Sequence, residues 1–173
     1  MPGARTLGDF AALVFAAVAK RRPAFYNGGM SLPDLLHAAL LEAAEAVFAS
    51  TDIFLAYAYG SRVCGEARPG SDLDIGYYLD DFRRRAALPL QAEMILAGQL
   101  SDRLGVEVDL RNLGAAPLEW RGRVLEDGVR IYCRDEVQRV NLERDLLAQY
   151  LDRKETFRQM HELRLKRFAE SGL

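Results

Sequence analysis

The spacing of hydrophobic residues changes period several times along the chain, and each change marks an element. Leu32, Leu36, Leu40, Ala43 and Val47 recur at helical spacing behind Ser31-Leu32-Pro33-Asp34, which has the form of a capping box. A helix is therefore expected from there to about Ser50. Ile53–Tyr59 is a short apolar, aromatic-rich run stopped by Gly60-Ser61, the pattern of a buried strand. Leu73–Leu79 reads as a second strand, entered from the turn-forming Arg68-Pro69-Gly70-Ser71. Leu90–Leu104 is helical, with Pro89 near its start and Gly105 as its stop. Residues 106–111 alternate strictly and predict a third strand that turns Val106, Val108 and Leu110 to the core. Pro117 opens a helix that closes at Gly128, and Val129–Cys133 forms a fourth strand. From Asp135 to about Glu170 the pattern is helical again, with Val140, Leu147, Leu151 and Phe157 as expected buried positions. Upstream, Thr6 or Asp9 can cap a first helix that runs to about Arg22, before Pro23 and Asn27-Gly28-Gly29 break it. That double glycine divides the chain into a helical extension, residues 1–30, and a main domain, residues 31–173.

Composition narrows the class. The 173 residues are 50% hydrophobic and 28% charged, with a net charge of −2, which fits a soluble protein with a real core. That balance excludes a nucleic-acid binder driven by bulk charge and a charged disordered chain. No apolar stretch is long enough for a membrane span. Phe10 to Ala19 superficially resembles a signal peptide, but Asp9 abuts it and Lys20-Arg21-Arg22 follows it, the wrong charge order. A buried or docking helix in a cytoplasmic protein is the expectation. Cys64 and Cys133 form no metal or disulfide pattern, and His37 and His161 both fall in helices, so histidine metal sites and Ser-His catalysis are disfavoured.

The candidate chemistry lies in Gly60-Ser61, ten further residues, and then Asp72-Leu73-Asp74. Residues two apart on a strand project from the same face, so Asp72 and Asp74 point together. Paired carboxylates repel unless something positive lies between them, and hard divalent ions such as Mg²⁺ take oxygen ligands. On the third strand Glu107, Asp109 and Arg111 share the polar face, which makes Asp109 the natural third carboxylate. A glycine at the sharp turn lets a phosphate approach the backbone, while the Ser61 hydroxyl and the amides of a following helical turn complete an anion site. A phosphate cradle with three acids equips a site for metal-assisted phosphoryl or nucleotidyl transfer, with two ions in its fullest form. Neither GxxxxGK[ST] nor GxGxxG occurs.

The run from Gly60 to Asp74 closely resembles the signature of the minimal nucleotidyltransferases of the DNA polymerase β superfamily. Within them it is most similar to the MNT antitoxins (MntA-like) of HEPN/MNT toxin–antitoxin pairs. The resemblance spans roughly Ser31 to Phe168. It implies an α+β polymerase β-like fold, with a mixed sheet of about four strands flanked by helices and a long C-terminal helix. It further implies ATP and Mg²⁺ at Gly60, Ser61, Asp72 and Asp74, with Asp109 completing the metal triad and activating the incoming hydroxyl. Arg62 and Ser71, inside the motif, join the nucleotide-binding set, and Arg62 and Arg111 are either phosphate contacts or surface arginines. The acceptor implied is a tyrosine of a cognate HEPN ribonuclease toxin, silenced by transfer of AMP. The toxins' own arginine and His-x-Tyr signature is absent, since His37 precedes Ala38-Ala39 and His161 precedes Glu162-Leu163. Two other readings stay open: a small-molecule (aminoglycoside-type) nucleotidyltransferase, and an idle antitoxin that neutralises by binding. No direct nucleic-acid or membrane partner is expected. Residues 1–30 either add a core helix, mediate self-association into a homo-oligomer, or touch the toxin.

Overall fold

The computed structural model describes residues 34–65, 68, 70–80 and 86–171. The helix expected between Thr6 and Arg22, the capping serine Ser31 and the division near residue 30 lie outside these described residues. The elements follow in the order α1 (Asp34–Phe48), β1 (Ile53–Tyr59), α2 (Ser61–Cys64), β2 (Leu73–Leu79), α3 (Leu90–Leu104), β3 (Val108–Asn112), α4 (Leu118–Asp127), β4 (Val129–Cys133) and α5 (Glu136–Ser171). Four strands form one mixed sheet in the order β3-β2-β1-β4. β1 runs antiparallel to both β2 and β4, whereas β2 and β3 are parallel. A parallel pair needs a long crossover, and α3 supplies it.

Both faces of the sheet are covered. On one, Leu40, Val47 and Phe48 of α1 and Leu96 and Leu100 of α3 pack against Ile75 and Tyr77 of β2. On the other, Val124 of α4 and Leu142 and Leu146 of α5 pack against Phe54 and Tyr57 of β1 and Tyr78 of β2. Burial on two sides explains why β1 reads as a continuous apolar run rather than an alternating one. Tyr57 also ties the central strand to α5. Its hydroxyl donates to Glu143 Oε1 at 2.5 Å, while Arg139 donates to Glu143 Oε2 at 2.5 Å. Burial and the Glu143 carboxylate push the Tyr57 pKa upward, so the hydroxyl keeps its proton and remains a donor. No helix among the described residues is long and apolar enough to cross a membrane.

Two expectations are corrected. β3 begins at Val108, not Val106, because pairing starts where β2 starts, at the Leu73–Val108 partners. Gly105 closes α3 in the left-handed conformation at φ 67°, and the two following residues carry the chain to the sheet. On α5 the inward stripe is Leu142, Leu146 and Tyr150, whereas Val140 and Leu151 are exposed and Leu147 and Phe157 half-buried. The helix carries more than one apolar stripe, and the notch at Gly122 of α4 selects the one that contains Tyr150.

That notch is tight. A Cβ at Gly122 would overlap the Tyr150 ring carbons. In an open helix a glycine-to-alanine change gains up to about 1 kcal/mol. Here overpacking reverses the sign, and Gly122→Ala should lower unfolding free energy by about 1–3 kcal/mol in a denaturant titration. A stabilised variant would show that α5 is not seated on α4 in this way.

Candidate active site

The sheet register lines up three side chains. Tyr59 of β1 is the Cα partner of Asp74 of β2, and Asp74 in turn is the partner of Asp109 of β3. Their strand neighbours Leu73, Ile75, Val108 and Leu110 point into the core beneath α1 and α3. Period-two alternation therefore puts Tyr59, Asp74 and Asp109 on the opposite face. Asp74 and Asp109 are half-buried, while Asp72 is exposed and stands just before β2 begins. The structure thus brings Asp74 and Asp109 side by side and leaves Asp72 at the rim.

Gly60, between β1 and α2, is held at φ 81° and ψ −164°. A Cβ there would run into Asp74 Oδ2 and lie 3.2 Å from Asp74 Cγ. Glycine is thus required twice, by backbone conformation and by the carboxylate beside it. The amides of Val63 and Cys64 donate to the Gly60 carbonyl at 3.1 and 3.0 Å, closing one helical turn. Helix geometry gives the amides of Ser61 and Arg62 no partner within that turn. Arg62 Nε donates to the Ser71 carbonyl at 2.5 Å and so joins the glycine turn to the approach of β2. Ser71 is itself held in a turn: its amide donates to the Arg68 carbonyl and its Oγ accepts from the Arg68 amide, both at 3.0 Å. Arg62 and Ser71 thus shape the loop in this structure, a role that their sequence reading, as nucleotide contacts or, for Arg62, a surface arginine, did not include.

Charge accumulates where the strands align. Burial, then Asp109, then Asp72 raise the Asp74 pKa above its ordinary value, against the opposing pull of Arg111. Burial and Asp74 likewise raise the Tyr59 pKa. Arg111 Nε and Nη2 donate to Asp109 Oδ2 at 2.7 and 2.6 Å. The same guanidinium lies 5.9 Å from the centre of the Trp120 ring, and Tyr59 meets Trp120 edge-on at 6.0 Å. Sequence reading missed Tyr59 and Trp120. Tyr59 carries a usable signal, since it directly precedes the turn glycine on a strand. Trp120 comes from α4, and only tertiary packing sets it there.

The raised Asp74 pKa has a consequence for stability. Because the folded chain holds this proton more tightly than the unfolded one, ionised Asp74 opposes folding at neutral pH. Below the ordinary value of 3.8 the carboxyl is protonated in both states and the penalty disappears. Asp74→Asn should therefore raise the melting temperature at pH 7, and the gain should shrink to nothing as pH falls below that value. A gain independent of pH would contradict the electrostatic cause.

The donor set fits a hard divalent cation: the carboxylate oxygens of Asp74 and Asp109 are paired across β2 and β3, with Asp72 at the rim. Among the described residues no three acidic, histidine or cysteine side chains are gathered around one point as they stand. Arg111 holds Asp109, and Asp72 lies at the rim.

Comparison with known proteins identifies the family and the fold. Residues 42–137, more than half of the chain, match the family model described as Polymerase beta, Nucleotidyltransferase. A crystal structure of a toxin–antitoxin with AMP-PNP is 19% identical, with a TM-score of 0.55 over 73% of this chain and 97% of that one. A mutant MntA–HpeT toxin–antitoxin is 15% identical, with a TM-score of 0.56 over 77% and 98%. A tri-AMPylated HEPN toxin from Shewanella oneidensis in complex with MNT antitoxin gives 18% identity and a TM-score of 0.52 over 75% and 97%. No curated protein sequence matches significantly. At these identities the likeness speaks for the fold.

Proposed function

The chain belongs to the polymerase β nucleotidyltransferase family, and from that premise we propose that it is an Mg²⁺-dependent adenylyltransferase antitoxin. It moves AMP from ATP to a tyrosine hydroxyl of a cognate HEPN ribonuclease toxin and silences it. The observation that carries this reading is the row formed by Gly60, Asp74 and Asp109 at one end of the sheet, with the glycine shaped around the carboxylate.

Asp72, Asp74 and Asp109 would hold the metal, and Mg²⁺ supplies charge neutralisation of the triphosphate and activation of the attacking hydroxyl. The turn at Gly60-Ser61 receives phosphate oxygens through the Ser61 hydroxyl and the first-turn amides. Arg62, anchored by Nε to Ser71, turns its remaining guanidinium nitrogens to the same phosphates. Asp109 takes or polarises the proton of the acceptor hydroxyl. The leaving pyrophosphate departs from the glycine turn as the phosphorus–oxygen bond to the acceptor forms. The fold shared with an MNT antitoxin in complex with a tri-AMPylated HEPN toxin supports the choice of acceptor. An idle binding antitoxin would tolerate loss of a carboxylate, and all three stand in this chain.

The test is to co-express the HEPN toxin proposed as its partner with wild type or Asp74→Asn and to weigh the toxin intact. Wild type should add whole AMP units and restore growth, whereas Asp74→Asn should leave the toxin unmodified and cells arrested. Growth restored by wild type with an unmodified toxin would favour neutralisation by binding.

A further inference from the structure

Arg111 follows Asp109 by two residues in β3, so the two side chains rise from the same face. Both donating nitrogens of the guanidinium fork converge on one oxygen, Asp109 Oδ2, at 2.7 and 2.6 Å. A cation ligated through that oxygen would meet the arginine first. Behind the guanidinium stands Trp120, its ring centre 5.9 Å away, with Tyr59 edge-on to it at 6.0 Å. Resting on the metal-dependent reading above, we propose that Arg111 is a displaceable internal counterion. It occupies Asp109 before a divalent cation does, and it withdraws along the Trp120 face when the cation arrives.

Three features support exchange rather than a fixed structural bridge. The Arg111 and Asp109 side chains are 54% and 35% exposed. An ion pair so exposed shifts an equilibrium by no more than about fivefold, which leaves it within reach of a competing divalent ion. The arrangement is also asymmetric. Asp74 is influenced most by burial and by Asp109, and Arg111 acts on it without a hydrogen bond. By pairing with Asp109 the arginine lowers the mutual repulsion of the acids, so the row can assemble without collapsing or splaying. Trp120 gives the displaced guanidinium an electron-rich face to remain against. This role differs from a phosphate contact, which would leave affinity for the bare metal unchanged.

Trp120 is the single tryptophan of the chain and therefore reports on its own neighbourhood. The experiment titrates the full chain with Mg²⁺ alone, following heat by calorimetry and Trp120 emission in parallel. Wild type, Arg111→Ala, Arg111→Lys and Asp74→Asn are compared, each checked for folding by circular dichroism. Arg111→Ala should bind Mg²⁺ about twofold to fivefold more tightly than wild type and lose most of the emission change. Arg111→Lys, which keeps the charge but not the fork, should fall between. Folded Arg111→Ala with equal or weaker Mg²⁺ affinity overturns the counterion role, and if Asp74→Asn has meanwhile lost Mg²⁺ binding, the metal site itself survives. Mg²⁺ binding that is absent in wild type, or unaltered by Asp74→Asn, removes the metal site and the counterion role with it.

Discussion

Gly60→Ala is expected to reduce adenylyl transfer by about two orders of magnitude while the protein remains folded. The added Cβ would overlap Asp74 Oδ2. The Asp74 backbone cannot retreat, because β2 is paired with β1 on one side and β3 on the other. The carboxylate must rotate off instead, and a displacement of about 1 Å in a reacting constellation is enough to lose roughly 10²-fold in rate. The backbone at φ 81° and ψ −164° lies in a region open essentially only to glycine, and adds strain of about 1–3 kcal/mol for any residue with a side chain. Gly70→Ala separates the two effects, since Gly70 has φ 86° but nothing within 4 Å of its would-be Cβ. It should lower the melting temperature comparably and leave kcat/KM near wild type. Equal rate losses in both variants would assign the effect to backbone strain and free Asp74 of it.

Asp74→Asn should be more severe, with transfer reduced by on the order of 10³-fold. The metal charge that Asp74 would anchor is worth several kcal/mol in the transition state, and each 1.36 kcal/mol is a factor of ten. The same substitution should stabilise the fold at neutral pH, for the reason given by the raised Asp74 pKa. A variant at once firmer and inactive marks a residue kept for chemistry at the expense of stability. If activity and melting temperature fell together, Asp74 would be a structural residue.

Much of this was legible in the chain. β1, β2 and β4 occupy the residues that their apolar runs mark, and for β1 and β2 burial on both faces leaves few alternatives. α3 and α4 stop at Gly105 and Gly128 as expected, since chain reversal there is written locally. Asp74 and Asp109 could be assigned to one face from period two alone. Their adjacency could not, because it depends on β2 and β3 being paired in parallel register. The inward stripe of α5 was misread for a related reason: a notch on another helix selects it. Tyr59, Trp120 and the hold of Arg111 on Asp109 likewise arise where β1, β3 and α4 meet. Charged residues of α5 also serve attachment, for the Tyr57–Glu143–Arg139 link ties the helix to the central strand.

The central claim is that this chain transfers the adenylyl group of ATP to a HEPN protein through a metal held by its aligned carboxylates. The most direct measurement incubates the purified chain and its proposed HEPN partner with Mg²⁺ and ATP labelled on either the α- or the γ-phosphate, using wild type, Asp72→Asn and Asp74→Asn. α-Label alone should move to the HEPN protein, chelation of Mg²⁺ should stop the transfer, and each substitution should abolish it. Transfer of γ-label, or α-label transfer that survives both substitutions, would contradict the central claim.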